Sequence, residues 1–241
     1  MNTFRITPAA ASILATCALL CAGWRTCTQE TAQTPAEVVG QVQLPQSDAG
    51  HRPAVIWLKP VDPAADTLPI RPGRFTLVQK NKMFSPHMLV IPVGSVVNFP
   101  NADPFFHNVF SLFNGRRFDL GLYEAGTSKE VIFSREGVSY IFCNIHPEMS
   151  AVVLALSTPL YAVADSSRKF IIREVPPGEY ELHVWIEGTP QPALDRLTRQ
   201  IRIRAGISNS ADIDASNSPP SSSQHLNKFG KPYDRDSKPA Y

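Results

Sequence analysis

The sequence predicts an all-β fold, and three features of its 241 residues support this prediction. Proline occurs 22 times, which disfavours long helices and favours short strands that end in turns. Many short apolar runs are bounded by Gly, Pro, Asn or Asp, as in a β-sandwich. The apolar share of 43% is sufficient for one large or two small cores, so a chain that is disordered throughout is excluded.

The charge balance argues against one class of partner. The chain has 23 basic and 21 acidic residues, which gives a formal net charge of +2. Neither sign dominates a long segment, whereas proteins that bind nucleic acid usually carry a basic face. We therefore expect no nucleic-acid partner.

Residues 1–26 have the pattern of a signal peptide. Arg5 and the amino terminus are positive, and Ala9–Gly23 is an uncharged, mostly apolar run of about fifteen residues. Such a run is too short to span a bilayer core of about 30 Å at a rise of about 1.5 Å per residue. We expect an exported protein, periplasmic or secreted, that is cleaved between Ala22 and Gln33 and has no membrane span.

Apolar runs typical of strands fall into three groups along the chain. The first group is Val38–Val42 and Ala54–Leu58, which a proline-rich connector over 60–72 follows. The second group covers residues 74–79, 88–91, 95–99, 108–113, 129–133, 139–143 and 151–156. The third group covers residues 160–164, 169–174, 180–187 and 200–204. Short strands separated by turn residues in this way predict a sandwich architecture.

The residue pattern predicts different structures for the last long strand of the third group and for the segment that follows this group. Within 180–187, apolar residues alternate with residues such as Glu181 and Trp185, which predicts one buried and one solvent-exposed face. Residues 207–241 are rich in Ser, Asn, Asp and Pro. This composition predicts a disordered tail.

Three donor side chains, those of Cys143, His146 and Met149, fall within seven residues at the end of an apolar strand. Thiolate and thioether sulfur suit Cu(I), and imidazole suits both oxidation states of copper. A trigonal site needs a second imidazole, which His107 can supply from the start of another strand. Neighbouring strands of a sandwich readily bring together residues that are 36 positions apart. The cluster therefore predicts a copper site, although each residue alone is typical of a buried core position.

The part of the chain around these donors resembles a cupredoxin, the blue-copper fold of plastocyanin and amicyanin. Phe84–Phe99 resembles the opening hairpin of that family, and 101–109 resembles the segment that carries its first ligand. The spacing Cys143-x-x-His146-x-x-Met149 is similar to the short ligand loop of amicyanin. The resemblance covers residues 73–156, about a third of the chain, and implies a Greek-key β-sandwich.

The resemblance also implies a role for each donor. His107, Cys143 and His146 would be the strong equatorial ligands of one mononuclear type 1 copper, and Met149 would be the weak axial ligand. Asn108 would lie outside the ligand shell and tie the two ligand loops together. Asn144 stands where the family commonly has Ser or Thr.

The flanking strands resemble a carboxypeptidase regulatory-like, transthyretin-type sandwich. This resemblance is carried by the segments 161–165, 170–172 and 175–182. Arg168 stands where that family usually has glycine. The resemblance implies a smaller, discontinuous β-sandwich of residues 36–60 and 157–206, into which the cupredoxin domain is inserted. It implies no peptidase activity, because the chain has no His-x-x-Glu pattern.

These features together predict an electron carrier. Cys143 is flanked by Phe142 and Asn144, whereas multicopper oxidases have histidines there that connect the blue copper to a second centre. Four ligands from the protein leave no open position for a substrate. We therefore predict single-electron transfer by a Cu(II)/Cu(I) cycle, with no enzymatic activity.

The predicted partner is a redox protein that docks where the ligand loop meets the surface. The ring edge of His146 is the expected exit for the electron, and Phe105, Phe106, Pro147 and Met149 are expected to form an apolar rim. A small apolar contact suits a transient redox encounter, and we expect a monomer. Two other functions remain open at this point, namely copper binding or delivery with the same residues, and a cell-surface binding module without metal.

Overall fold

A computed structural model describes residues 34–45, 52–65, 68–112, 115–218 and 226–233. The predicted signal peptide and its cleavage region lie outside the described residues. Over the described residues the chain is all-β, as predicted, with the strands β1 (Ala36–Gln43), β2 (Ala54–Pro60), β3 (Arg74–Thr76), β4 (Val78–Lys80), β5 (Met83–Ser85), β6 (Met88–Pro92), β7 (Val96–Pro100), β8 (His107–Ser111), β9 (Phe118–Tyr123), β10 (Ser128–Ile132), β11 (Gly137–Cys143), β12 (Ser150–Leu156), β13 (Tyr161–Val163), β14 (Lys169–Val175), β15 (Gly178–Ile186), β16 (Arg199–Ile203), β17 (Ser208–Ser210) and β18 (Ile213–Asp214).

Helical structure is limited to two short pieces of the described chain. A 3-10 turn covers Pro63–Ala65, and α1 covers Gln191–Leu197. The sequence analysis missed α1. No helix in the described ranges is long and apolar enough to cross a bilayer.

The second group of predicted strands forms a central sandwich of two sheets. One sheet has the strand order β10-β7-β3, and the other has the order β6-β12-β11-β8-β9. Side chains from both sheets fill one apolar core, which includes Phe99, Phe133 and Ile141. Alternation along β11 places Ile141 and Cys143 in this core, because successive residues of a strand point to opposite faces.

Strand β12, within the five-stranded sheet, is buried on both faces. Ala151, Val153 and Ala155 of β12 pack into the central core, whereas Val152 and Leu154 pack into a second core on the other face. A strand that is covered on both sides has a continuous apolar sequence, and β12 has one. The two cores therefore pack on opposite faces of the same sheet.

The first and third groups of predicted strands form the second core. They pair into one sheet of the order β13-β2-β15-β16 and another of the order β14-β1-β17, in which β18 also pairs with β1. Leu58, Ile172 and Leu182 are among its fully buried members. The assignment of these sheets to a separate, discontinuous domain with the boundaries 36–60 and 157–206 stays a prediction, as does the central boundary 73–156.

The predicted solvent-exposed face of β15 is wrong at its carboxyl end. Trp185 is only 1% exposed, and its Nε1 atom donates a hydrogen bond to the hydroxyl of Tyr140 on β11 at 3.3 Å. The stacked ring of Trp57 also half-buries His183. This face is covered because the five-stranded sheet packs on it, which the alternation within a single strand does not reveal.

The structure also differs from the predicted disordered tail. Within 207–241, β17 and β18 pair in parallel with β1, and residues 226–233 form a compact turn. Ala211, Ile213 and Ala215 are buried at alternate positions in the second core. Strands pair through main-chain hydrogen bonds, which do not depend on side-chain polarity. The high content of Ser and Asn therefore did not indicate the short strands β17 and β18.

Candidate metal centre

His107, Cys143 and His146 meet at one end of the central sandwich. The Nδ1 atoms of His107 and His146 each lie 3.6 Å from Sγ of Cys143. All three donor atoms lie within 4.8 Å of one another, and all three residues are buried. The structure thus brings together three of the four donors that the sequence analysis singled out.

Strand pairing closes the gap of 36 residues between His107 and Cys143. The strands β8 and β11 are antiparallel neighbours, and Cys143 pairs with Val109. His107 lies two residues before Val109 on the same face of β8, because residues i and i+2 of a strand share a face. Diagonal cross-strand positions of this kind lie within reach of long side chains.

A short loop supplies the other donors. The amide of Met149 donates to the carbonyl of His146 at 3.0 Å, and the amide of Cys143 donates to the carbonyl of Met149 at 3.1 Å. These main-chain bonds bend the loop back toward β11. Met149 is fully buried in the same core as Cys143. Its role as the axial ligand stays a prediction.

His107 has a second partner that the sequence analysis missed. Its Nε2 atom donates to Oδ2 of Asp103 at 2.9 Å, and both side chains are almost fully buried. Burial acts to raise the pKa of Asp103, but hydrogen bonds from the Lys82 amide, His107 and the Asn81 amide hold it below its usual value. The sequence does contain a signal for this contact, because Asp103 lies in a predicted turn only four residues before the candidate ligand His107.

Burial favours the neutral form of both imidazoles. Burial lowers the pKa of His107, and this effect exceeds the opposite effect of Asp103. Burial is also the main cause that lowers the pKa of His146 to about 4, and the positive charge of Lys82 acts in the same direction. A neutral imidazole offers a lone pair, which is the form that binds a metal ion.

Asn108, which is expected to tie the two ligand loops together, connects them through its main chain. Its carbonyl accepts a hydrogen bond of 3.0 Å from the amide of Asn144, the residue after Cys143. Its side-chain Nδ2 donates instead to Oδ1 of Asp119 at 2.7 Å. The role of Asn108 outside the ligand shell stays a prediction.

The expected apolar rim is only partly at the surface. Phe106 and Pro147 are exposed, and Phe105 is half-buried with its ring against the rings of both His107 and His146. Met149 is fully buried, so it does not form part of the rim. His146 itself is only 7% exposed, and its Nε2 atom is buried without a hydrogen-bond partner among the described residues.

The C-terminal segment 226–233 lies against the same corner of the molecule. The amide of Lys228 donates to Oδ1 of Asn144 at 3.0 Å, and its Nζ pairs with Asp119 at 2.9 Å. The hydroxyl of Tyr233 donates to the carbonyl of Cys143 at 2.9 Å. No motif of the tail indicated these contacts.

The donor set fits a copper ion. A metal bound to nitrogen at about 2.0–2.1 Å and to sulfur at about 2.3 Å, with angles between tetrahedral and trigonal, separates those atoms by about 3.6–3.8 Å. The observed separations between sulfur and nitrogen are 3.6 Å. Two neutral imidazoles with one thiolate, buried in a β-scaffold, form the ligand set of trigonal copper sites.

Comparison with known proteins finds likenesses among solved structures. No family model matches the chain, and no curated protein matches it. The chain is similar to a purple cupredoxin from Nitrosopumilus maritimus, with 28% identity, 34% of this chain and 98% of that chain covered, and a TM-score of 0.31.

Two further likenesses concern copper proteins. The chain is similar to a copper-containing nitrite reductase from Thermus scotoductus SA-01, with 25% identity, 42% of this chain and 26% of that chain covered, and a TM-score of 0.34. It is also similar to an oxidised mutant of amicyanin, with 16% identity, 34% of this chain and 81% of that chain covered, and a TM-score of 0.32. The central part of the described chain is a β-sandwich of two sheets with the His-Cys-His group at one end.

Proposed function

We propose that this chain is an exported type 1 copper protein that carries single electrons. The observation that carries the proposal is the convergence of Nδ1 of His107, Sγ of Cys143 and Nδ1 of His146 in a buried group. When bound there, copper would supply a one-electron couple between Cu(II) and Cu(I). The protein would hold the same donors in both oxidation states.

The scaffold favours transfer without large movement. His107 and Cys143 lie on paired strands, and the loop from Cys143 to Met149 is closed by its own main-chain hydrogen bonds. A preorganised ligand set keeps the reorganisation on electron transfer small. Met149 is proposed as the fourth, axial ligand, and with four ligands from the protein no position is left for a substrate, so we propose no enzymatic activity.

The partner is proposed to be a redox protein that docks near Phe105, Phe106, His146 and Pro147. Phe106 is 50% exposed and Pro147 is exposed, so both contribute apolar area to the surface there. The Phe105 ring packs against His146 with centroids 5.6 Å apart. The electron would therefore leave beside Phe105 rather than directly from an exposed edge of His146. The export signal and the monomeric state belong to the same proposal, as does a transthyretin-type relationship of the outer sheets.

The decisive experiment is the visible and paramagnetic resonance spectrum of the protein loaded with Cu(II). We expect an intense blue thiolate-to-copper band together with a narrow copper hyperfine splitting. An electron carrier should also show a reversible potential and rapid exchange with small redox partners. Copper that is released readily to a chelator without such a potential would support delivery instead, and the absence of both spectral features would contradict a type 1 centre.

A further inference from the structure

The buried pair of Asp103 and His107 carries an inference beyond electron transfer itself. Asp103 is 5% exposed, yet it places a carboxylate inside the metal-binding end of the sandwich. A buried carboxylate is costly unless its oxygens are satisfied by donors. Three donors satisfy this one, two from a single turn and one from a candidate ligand.

Two of the donors are the main-chain amides of a tight turn. Asn81 and Lys82 connect β4 to β5, and their amides donate to Oδ1 and Oδ2 of Asp103 at 2.6 and 3.0 Å. Both residues have a φ of 56°, a left-handed conformation that Asn tolerates and Lys rarely adopts. The carboxylate stabilises this turn, because it accepts a hydrogen bond from each of the two amides that the conformation directs toward it.

The third donor is the candidate ligand itself. Nε2 of His107 donates to Oδ2 of Asp103 at 2.9 Å, while Nδ1 of the same ring faces the thiol of Cys143 at 3.6 Å. A hydrogen bond at one ring nitrogen decides the tautomer and the orientation of the other nitrogen. His146 has no equivalent partner in the described part of the chain, since its Nε2 atom is buried without one.

Asp103 is in turn held by its own turn. Its amide donates to Oδ1 of Asn101 at 3.0 Å, and Nδ2 of Asn101 donates to the carbonyl of Phe105 at 2.7 Å. The carboxylate therefore has little freedom to rotate away from His107. The chain of contacts runs from the β4–β5 turn through Asp103 to the metal-facing nitrogen.

We propose that Asp103 is the positioning residue of the centre, which fixes His107 in the Nε2-protonated form and lowers the reduction potential through its negative charge. The second part rests on the proposed function, because it needs bound copper. A carboxylate beside a ligand imidazole favours the more highly charged metal ion, so Cu(II) is stabilised relative to Cu(I).

The first test uses copper-free protein, so it does not depend on the proposed function. Nitrogen NMR of the full chain should show His107 protonated at Nε2 and unprotonated at Nδ1. In Asp103→Ala the ring should lose this single tautomer. If His107 keeps the same tautomer in a folded Asp103→Ala protein, the positioning role is overturned.

The second test uses copper-loaded protein and the milder Asp103→Asn change, which keeps an acceptor but removes the charge. We expect its potential to be more positive than that of the unchanged protein. Asp165→Asn is the control, because the Asp165 carboxylate also accepts two turn amides, those of Ser167 and Lys169, but touches neither a candidate ligand nor a residue that supports one. A potential that is equal in Asp103→Asn and the unchanged protein overturns the electrostatic role. A missing blue band in the unchanged protein defeats the proposed function instead, and leaves the tautomer result standing.

A separate observation concerns the C-terminal segment 226–233. Asn227 folds it, since Oδ1 accepts from the amides of Phe229 and Lys231 at 3.0 and 3.1 Å. The folded turn contacts the metal-binding end at Asp119, Cys143 and Asn144. Asn144, the residue that departs from the family pattern, uses its side chain for one of these contacts.

From these contacts we infer that residues 226–233 act as a clasp, which holds the corner of Cys143 and Asn144 and opposes the local opening that would expose the buried thiol. Three polar contacts hold the clasp there, one to Asp119 on β9 and two to Asn144 and Cys143 at the end of β11. The contact from Tyr233 is to the carbonyl of a candidate ligand. This inference does not depend on the metal, because every contact involves the protein alone.

The test compares Lys228→Ala combined with Tyr233→Phe against the control Lys231→Ala, which alters an exposed lysine of the same turn. In copper-free full chain, alkylation of Cys143 should be several-fold faster in the double variant than in the control. Hydrogen exchange at the Asn144 amide, which bonds the Asn108 carbonyl, should also be faster. Equal alkylation and exchange rates in the two variants would overturn the clasp.

Discussion

The two sides of the candidate centre hold their imidazoles in different ways. On the strand side, His107 begins β8 and has a charged, buried partner in Asp103. On the loop side, His146 lies between Cys143 and Met149, and no hydrogen-bond partner among the described residues satisfies its Nε2 atom. Both Nδ1 atoms nevertheless lie 3.6 Å from the same sulfur.

This difference indicates that the strand side holds its imidazole more rigidly than the loop side does. Regular strand pairing with a fixed hydrogen bond makes the strand side rigid, because each group is held from two directions. The loop side is held by main-chain bonds within the loop and by packing against Phe105. A ligand whose second nitrogen is not tied to a carboxylate can accommodate small changes at the metal or at a docked partner.

The largest effect is expected when the sulfur donor of Cys143, which both imidazoles face, is removed. Cys143→Ser should abolish the blue band, because an alcohol does not supply the thiolate that gives the intense charge-transfer absorption. Absorption and paramagnetic resonance spectra of copper-loaded protein measure this. Circular dichroism should show unchanged strand content. A full-strength band in this variant would contradict the ligand assignment.

The second prediction separates the two imidazoles in copper-free protein. His107→Ala leaves the buried Asp103 carboxylate without one of its donors, whereas His146→Ala breaks no hydrogen bond at Nε2. We expect His107→Ala to lower the free energy of unfolding by about 1–3 kcal/mol more than His146→Ala does. Urea denaturation near neutral pH measures both. Equal losses would mean that the contact between Asp103 and His107 adds nothing to stability.

Met149→Leu gives a smaller effect on the loop side. The two side chains have similar volumes, so the free energy of unfolding of copper-free protein should change by less than about 1.5 kcal/mol. Most of the blue band should remain, and the potential should shift, since the weak axial ligand tunes it. Voltammetry together with absorption measures this, and a complete loss of the band would make Met149 more than a weak ligand.

The smallest effect concerns His87, which contacts the exit of the ligand loop. Its Nε2 atom pairs with Glu187 at 2.5 Å, and its Nδ1 atom lies 3.3 Å from the carbonyl of Ser150. The hydrogen bond with Glu187 raises the pKa of His87 against the opposing effect of burial. The folded state therefore binds this proton more tightly than the unfolded state, so its contribution is complete below the ordinary histidine pKa of about 6.5 and is lost as pH rises through the raised value.

We expect His87→Gln to reduce stability at pH 5.5 by about 0.5 kcal/mol, with a smaller loss at pH 8.5, because both side chains are partly exposed and solvent screens the pair. Thermal unfolding of copper-free protein at the two pH values measures the difference. A larger loss at pH 8.5 than at pH 5.5 would contradict a stabilising role for the protonated form of His87.

Most of the strand content was accessible from the sequence. The runs from Val38 to Val42 and from 139 to 143 occur as β1 and β11, because alternation and bounding turns are local properties. Among the missed strands, β5, β17 and β18 have only two or three residues each, and the apolar run of β9 is interrupted by Asp119 and Gly121. Their positions depend on main-chain pairing with neighbours, which leaves little trace in the side chains.

The donor types at the centre were also written in the sequence. Cys143, His146 and Met149 are close in the chain, so their spacing alone indicated a ligand loop, and a remote His107 was sufficient to complete it. Chemistry of this kind depends on residue identity and on short loops, which a sequence states directly.

Tertiary structure alone decided what surrounds the donors. The pairing of β8 with β11 brought His107 to Cys143, and the β4–β5 turn supplied the amides that hold Asp103. Packing of two cores on one sheet buried Trp185, and the tail segment reached Cys143 and Asn144. These contacts join residues that are distant in the chain, and their free energy arises only when the whole set of sheets excludes water from them together.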